Sequence, residues 1–166
     1  VTRISKEEKV IDIKVHQQLA KQLFNQTWNL LDNSDRTSNE DLKMIHTAHA
    51  SRYHWGILVS NGLGTPLNLQ RGEWLISHVY TILKRAESAF FHAKVCIDLT
   101  EKYNIRDFDL AFAYEAMARS SALAKNEKDF KKYYKLAESM GKEIKEDEDR
   151  KYFFDQLNSG QWFGLK

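Results

Sequence analysis

Proline occurs once in these 166 residues, at Pro66, and glycine seven times, so the chain is poor in the residues that turn strands or break helices. A fold of many short strands needs turn residues at close intervals, and this sequence does not supply them. Apolar residues instead recur at helical spacing. Ile13, Ala20, Phe24, Thr27 and Leu31 predict one long amphipathic helix from about Ser5 to Asp32. Ser38 followed by Asp41 has the spacing of an N-cap with an acidic third position and predicts a second helix from about Asn39 to Val59. The stretch from Ser60 to Leu67, with Gly62, Gly64 and Pro66, is the one long loop.

Beyond that loop Asn68 is expected to cap a third helix to about Lys84, and a fourth runs from about Glu87 to Tyr103, with Asn104 suited to a left-handed C-cap. Asp107 is expected to cap a fifth helix to about Lys125. Asn126 ends it, and a sixth covers roughly Lys128 to Gly141. A short seventh, from Asp147 to about Leu157, has Tyr152, Phe153 and Leu157 to bury. The reading is an all-α chain of about seven helices forming one domain over residues 1–166. The apolar tail Gln161-Trp162-Phe163-Gly164-Leu165 is expected to dock on the domain or on a partner, because exposing its large side chains costs a few kcal/mol.

Composition narrows the function classes. The 42% hydrophobic and 12% aromatic content excludes disorder, and 25 basic against 23 acidic side chains, interspersed along the chain, create no strong field. No basic stripe with interleaved aromatics marks a nucleic-acid interface, so no nucleic-acid partner is expected. No run of about 18 apolar residues and no charged-then-apolar leader is present, so neither a membrane span nor a signal peptide is expected. Cys96 is the one cysteine and cannot form an internal disulfide; a cytoplasmic location is the default.

Sliding the chain on itself by 41 residues aligns Ile76 with Met117, Ser77 with Ala118, Ala89 with Phe130, Ala93 with Tyr134, and Cys96 with Ala137. Helix pairs repeating at such a period mark a solenoid, in which small residues let helices cross closely and large ones fill the space between hairpins. "EWLISHVYTILKRAESAFFHAKVCIDL" (Glu73 to Leu99) and "YEAMARSSALAKNEKDFKKYYKLAE" (Tyr114 to Glu138) resemble tetratricopeptide repeats in their longer form of about 40 residues, found in some bacterial regulators and in kinesin light chains. The resemblance covers about 40% of the chain and implies two hairpins within 68–141. The first two helices then form a degenerate third hairpin and the seventh a solvating cap. The family's turn glycine is replaced here by Lys84 or Lys125, no proline ends either repeat, and Trp74 falls one place late. The segment HASRYHW (His49 to Trp55) is also similar to one in bacterial proteins without an assigned activity.

In tetratricopeptide arrays the first helix of each repeat lines a concave groove. Carried over by position, the groove residues are Arg71, Trp74, His78 and Thr81 from one repeat, and Phe112, Glu115, Arg119 and Ala122 from the next. Two arginines, a tryptophan and a histidine suit an extended peptide that is acidic or ends in a carboxylate. The competing expectation is that the chain's own helices fill this groove. Glu115 and Arg119, at i and i+4 on an otherwise apolar helix, are read first as an internal ion pair and second as ligand-facing groups.

His46, His49 and Tyr53 share one face of the second helix with Leu42 and Ile45, while Met44, Ala48, Trp55 and Leu58 form another, so that helix is expected to be covered on two sides. His46 and His49 can reach one metal, but no third ligand motif accompanies them, and buried, hydrogen-bonded histidines are the plainer reading. Gly62-Leu63-Gly64-Thr65 lacks the lysine of a phosphate loop, and Cys96 sits where a small packing residue belongs. No cofactor is expected. The leading expectation is a non-enzymatic protein or peptide interaction module, with self-association through the Trp162-Phe163 tail as a further option. The alternative is a small helical metal-binding protein or enzyme centred on His46, His49, Tyr53, His78 and Glu115.

Overall fold

The computed structural model describes residues 12–166. Among them are seven helices, 78% helical in all, and no strand: α1 (Ile13–Asp32), α2 (Ser38–Ser60), α3 (Pro66–Ile82), α4 (Ala86–Lys102), α5 (Phe108–Leu123), α6 (Glu127–Lys142) and α7 (Asp147–Asn158). The part of the first predicted helix before Asp12 lies outside the described residues; Asp12 caps α1 by accepting from Lys14 N at 2.9 Å. The largest interfaces pair α1 with α2, α3 with α4, and α5 with α6. Successive hairpins join through α2 on α3 and α4 on α5, α3 also touches α5, and α7 closes the end against α5 and α6. No helix among the described residues is long and apolar enough to cross a membrane.

Four helices end in the same way. The backbone turns left-handed at Gly62, Lys84, Asn104 and Lys125, with φ of 72°, 56°, 52° and 58°. The following amide then bonds back five residues: Leu63 N to Leu58 O, Arg85 N to Tyr80 O, Ile105 N to Thr100 O, and Asn126 N to Ser121 O. Lys84 and Lys125 thus adopt the conformation that favours glycine, at a cost of about 1 to 2 kcal/mol each. The positions are repeat-related, since they stand one 41-residue step apart.

Helix starts depart from the expectations by a few residues. Thr37, not Ser38, caps α2, in a reciprocal box with Glu40; the amide of Thr37 holds the Glu40 carboxyl below its ordinary range, and Asp41 pairs with Arg36 at 2.9 Å instead. Asn68 does not cap α3 from outside. It sits in the first turn, where its Oδ1 accepts from Thr65 N at 2.9 Å and Pro66 takes the first helical position. Asp107 makes no side-chain cap on α5, because its carboxylate accepts from Lys145 N at 3.2 Å and ties the α5 start to the segment entering α7. Asn126 caps α6, accepting from Asp129 N at 3.1 Å.

The 41-residue pairing is visible in the packing. Ile76, Met117, Ser77, Ala118, Ala89, Phe130, Ala93, Cys96 and Ala137 are all buried, and of the aligned residues Tyr134 alone stays part-exposed. Ser77 Oγ donates to Ala89 O at 2.9 Å across the α3/α4 hairpin, which requires the close approach that a small side chain permits. Ala118 is fully buried in α5, the helix covered nearly all round. Ala118→Leu is therefore expected to destabilise the protein by about 1 to 3 kcal/mol through overpacking, read as a lower urea midpoint. An unchanged midpoint would mean that the helices do not cross there.

α2 is covered on two sides, by α1 and by α3, but not along the faces that the apolar pattern suggests. Met44, Ala48 and Leu58 are buried, but Leu42 and Tyr53 are 49% and 61% exposed and His46 is exposed as well. The second buried surface belongs to hydroxyls: Thr47 pairs with Thr27 Oγ1 at 2.9 Å, and Ser51 Oγ donates to Ala20 O at 2.7 Å, so short polar groups are buried without loss. In α7, Phe153 and Leu157 are buried as expected while Tyr152 is 49% exposed. The tail docks on the chain itself: Trp162 is 5% exposed, with its ring centroid 5.7 Å from that of Phe130 and 5.1 Å from that of Tyr134.

Candidate functional site

Four helices from successive hairpins meet around a cavity of about 180 Å³. α1 contributes Phe24 and Trp28, α3 contributes Gln70, Arg71 and Trp74, α5 contributes Phe108, Asp109 and Phe112, and α7 contributes Tyr152. The walls are built from i, i+4 pairs, Phe24 with Trp28 and Phe108 with Phe112, each presenting two rings from adjacent turns of one helix. Trp28 stacks on Trp74 at 5.9 Å, Phe112 meets Trp74 edge-on at 5.5 Å, and Phe108 stacks against Tyr152 at 6.3 Å.

At the rim Arg71 donates to Asp109 through Nε at 2.7 Å and Nη2 at 2.9 Å, a forked pair that raises the guanidinium's already high pKa. Beneath it Gln70, 1% exposed, gives its amide hydrogen to Asp109 O at 3.0 Å and leaves Oε1 without a protein partner. Trp74 Nε1 also has none. Unsatisfied polar atoms are uncommon in native interiors, and here two belong to residues lining one cavity.

Three expected groove residues, Arg71, Trp74 and Phe112, therefore do line an opening. His78 stands behind it, parallel to Trp74 at 5.1 Å and 8°. Glu115 and Arg119 lie deeper, 3% and 7% exposed, paired with each other and closed over by the C-terminus. Arg119 Nη2 donates to Gln156 O at 2.6 Å and Ser159 O at 3.2 Å, and its guanidinium lies 4.3 Å from the Trp162 ring. Gly160, at φ 77°, lets the tail turn tightly against Arg119. Thr81 does not face the groove: it is buried, and its hydroxyl bonds to Ser77 O at 2.9 Å. Phe24, Trp28, Phe108, Asp109, Gln70 and Tyr152 were not among the groove residues expected from the repeat.

A second polar cluster joins α2, α3 and α4. Glu73, 7% exposed, lies 2.8 Å from Arg52 Nε and 2.7 Å from His92 Nδ1, although the Arg52 contact is angled away from a true hydrogen bond. His49 Nε2 meets Tyr80 OH at 3.0 Å, and its ring lies 5.1 Å from that of His92. His49 is thus engaged with Tyr80 and His92, while His46 and Tyr53 point to solvent and His78 and Glu115 belong to the groove side. Among the described residues no group of three or more His, Cys, Asp or Glu can hold a metal ion. Cys96 is fully buried, and burial pushes its thiol far above the ordinary range, which leaves it a packing residue.

Burial lowers the pKa of His49, His54 and His78; neighbouring His92 adds to the effect on His49, His16 adds to that on His54, and for His78 Glu115 opposes it. These groups hold a proton less readily folded than unfolded, so their contribution is present above the unfolded value of about 6.5 and is lost as pH falls through the lower folded values. The urea midpoint is expected to fall between about pH 7.5 and pH 5, and His78→Phe to flatten that dependence. A midpoint independent of pH across this window would contradict it. Compared with known protein families, curated proteins and solved structures, the chain matches none.

Proposed function

We propose that the protein is a non-enzymatic interaction module that takes an extended segment of a partner protein along the recess between α1, α3, α5 and α7. The observation that carries this reading is the ring-lined cavity left open between the first helices of successive hairpins. Those are the helices that face the ligand in the tetratricopeptide arrays the sequence resembles. Aromatic anchors of this kind dominate peptide and protein recognition, because a rigid ring buries a large area at little entropic cost. A cytoplasmic location agrees with the lone buried Cys96.

The charge side of the recess shapes the partner. Arg71 and Arg119, on which the expectation of an acidic or carboxylate-terminated peptide rests, are both engaged, with Asp109 and with Glu115 and the tail carbonyls respectively. Affinity then comes from the rings. Selection of a random peptide display library on the immobilised protein tests this, with a Trp28→Ala/Tyr152→Ala variant as the comparison. The expected result is a consensus peptide with an apolar or aromatic-stacking anchor, whose binding falls at least about tenfold in the variant, a loss of about 1.4 kcal/mol. A consensus that binds both proteins equally would refute the site.

A further inference from the structure

We infer that the ring-lined pocket accepts a methylated ammonium group, carried on a lysine side chain of the partner segment. The inference rests on the reading of this recess as a peptide site and adds the chemistry of the anchor. Six of the nine lining residues are aromatic and none is aliphatic. An aliphatic anchor is served equally well by leucine or valine walls. Faces of Trp, Tyr and Phe add an attraction that such walls lack, because the ring quadrupole is negative above and below its plane. Trp28, Trp74, Phe112 and Tyr152 bring such rings from four different helices to one cavity.

Charge and size point the same way. The rim guanidinium of Arg71 is neutralised by the forked bond to Asp109. An anionic anchor therefore finds no free cation among the lining residues. The cavity of about 180 Å³ is comparable with the dry cavity of about 150 Å³ that holds benzene, and a trimethylammonium group is no larger.

The ring walls also decide between the methylated and the plain lysine. An unmethylated ammonium carries three strongly hydrated N–H donors, and the ring faces offer them no strong acceptor, while the Asp109 carboxylate at the rim is already engaged by Arg71. Methylation replaces those donors by polarised methyl groups that rest on ring faces. The partner chemistry is therefore a di- or trimethyl-lysine within a peptide.

The test uses the full chain and two probes: N-acetyl-trimethyllysine methylamide, and its neutral isostere in which carbon replaces the quaternary nitrogen. Binding is followed by tryptophan fluorescence. The cation is expected to bind about tenfold more tightly than the isostere, with that preference lost in Tyr152→Leu, which keeps apolar volume but removes a ring. Tyr152 is half-exposed, so the substitution leaves the core in place, and the comparison of probes on the parent protein stands independently of any variant. Equal or better binding of the neutral isostere would overturn the inference and leave the peptide site standing with an apolar anchor. Failure of both probes, alongside a selected peptide that binds through Trp28 and Tyr152, would overturn it in the same way. Absence of any selected peptide together with failure of both probes is the separate result that removes the peptide site itself.

Discussion

Arg119→Ala is expected to lower the free energy of unfolding by about 3 to 5 kcal/mol, the loss typical of removing one partner from a buried ion pair. Glu115, 3% exposed, would be left with an uncompensated charge, and three carbonyls, those of Gln156 in α7 and of Ser159 and Gln161 beyond it, would lose their donor. The guanidinium also covers the Trp162 ring, so its removal loosens the docked tail. Glu115→Leu combined with Arg119→Met is expected to recover part of this loss, since a buried pair is often replaced by apolar residues at little cost. Recovery is incomplete because the carbonyls still lack a donor. Urea unfolding of the two variants checks both statements. A loss below about 1 kcal/mol for Arg119→Ala would place the pair among exposed ones and the tail away from the domain.

Phe153→Ala is expected to cost a similar amount, about 3 to 5 kcal/mol, or roughly 6 to 20 °C in melting temperature. Its ring is fully buried, edge-on to Phe112 at 5.0 Å, and packed so closely on Gly141 that a Cβ added there collides with it. α7 is thereby fastened to α5 and α6. Because Phe112 and Tyr152 both line the pocket, this cap also fixes one wall of the candidate site. A small change in melting temperature would mean that α7 is loosely held, and that the pocket wall it contributes is not a fixed one.

The helices were legible because their apolar residues keep helical spacing over many turns, whereas caps rest on single residues. Thr37 with Glu40 has the full capping-box pattern and Ser38 with Asp41, one place on, only approximates it, so the cap was legible one residue earlier than expected. The burial of Ser77 and Ala118 followed from the repeat, since small residues recur one period apart. The buried side of α2 did not: Thr47 and Ser51 read as polar, and their burial depends on finding Thr27 and Ala20 O on a neighbouring helix.

The site divides along the same line. Arg71, Trp74 and Phe112 could be placed from their positions within repeats. Phe24, Trp28 and Tyr152 come from the two ends of the chain, α1 and α7, and their meeting depends on how those ends fold back on the array rather than on any spacing. The pairing of Glu73 with His92 and Arg52 across three helices was invisible for the same reason. Arg119 is paired with Glu115 as their i, i+4 spacing suggested, whereas the neutralisation of Arg71 was not expected, because Asp109 comes from a helix 38 residues further along the chain.

The four tryptophans allow one direct reading of where a ligand sits. Trp28 and Trp74 line the pocket, while Trp162, in the docked tail, is buried against Phe130 and Tyr134. In a nitrogen-proton correlation spectrum of the labelled protein, titration with the selected peptide is predicted to move the indole signals of Trp28 and Trp74 and leave that of Trp162 in place. Movement of Trp162 with Trp28 and Trp74 unchanged would contradict the account, because it would locate binding at the tail and leave the ring-lined recess without a ligand.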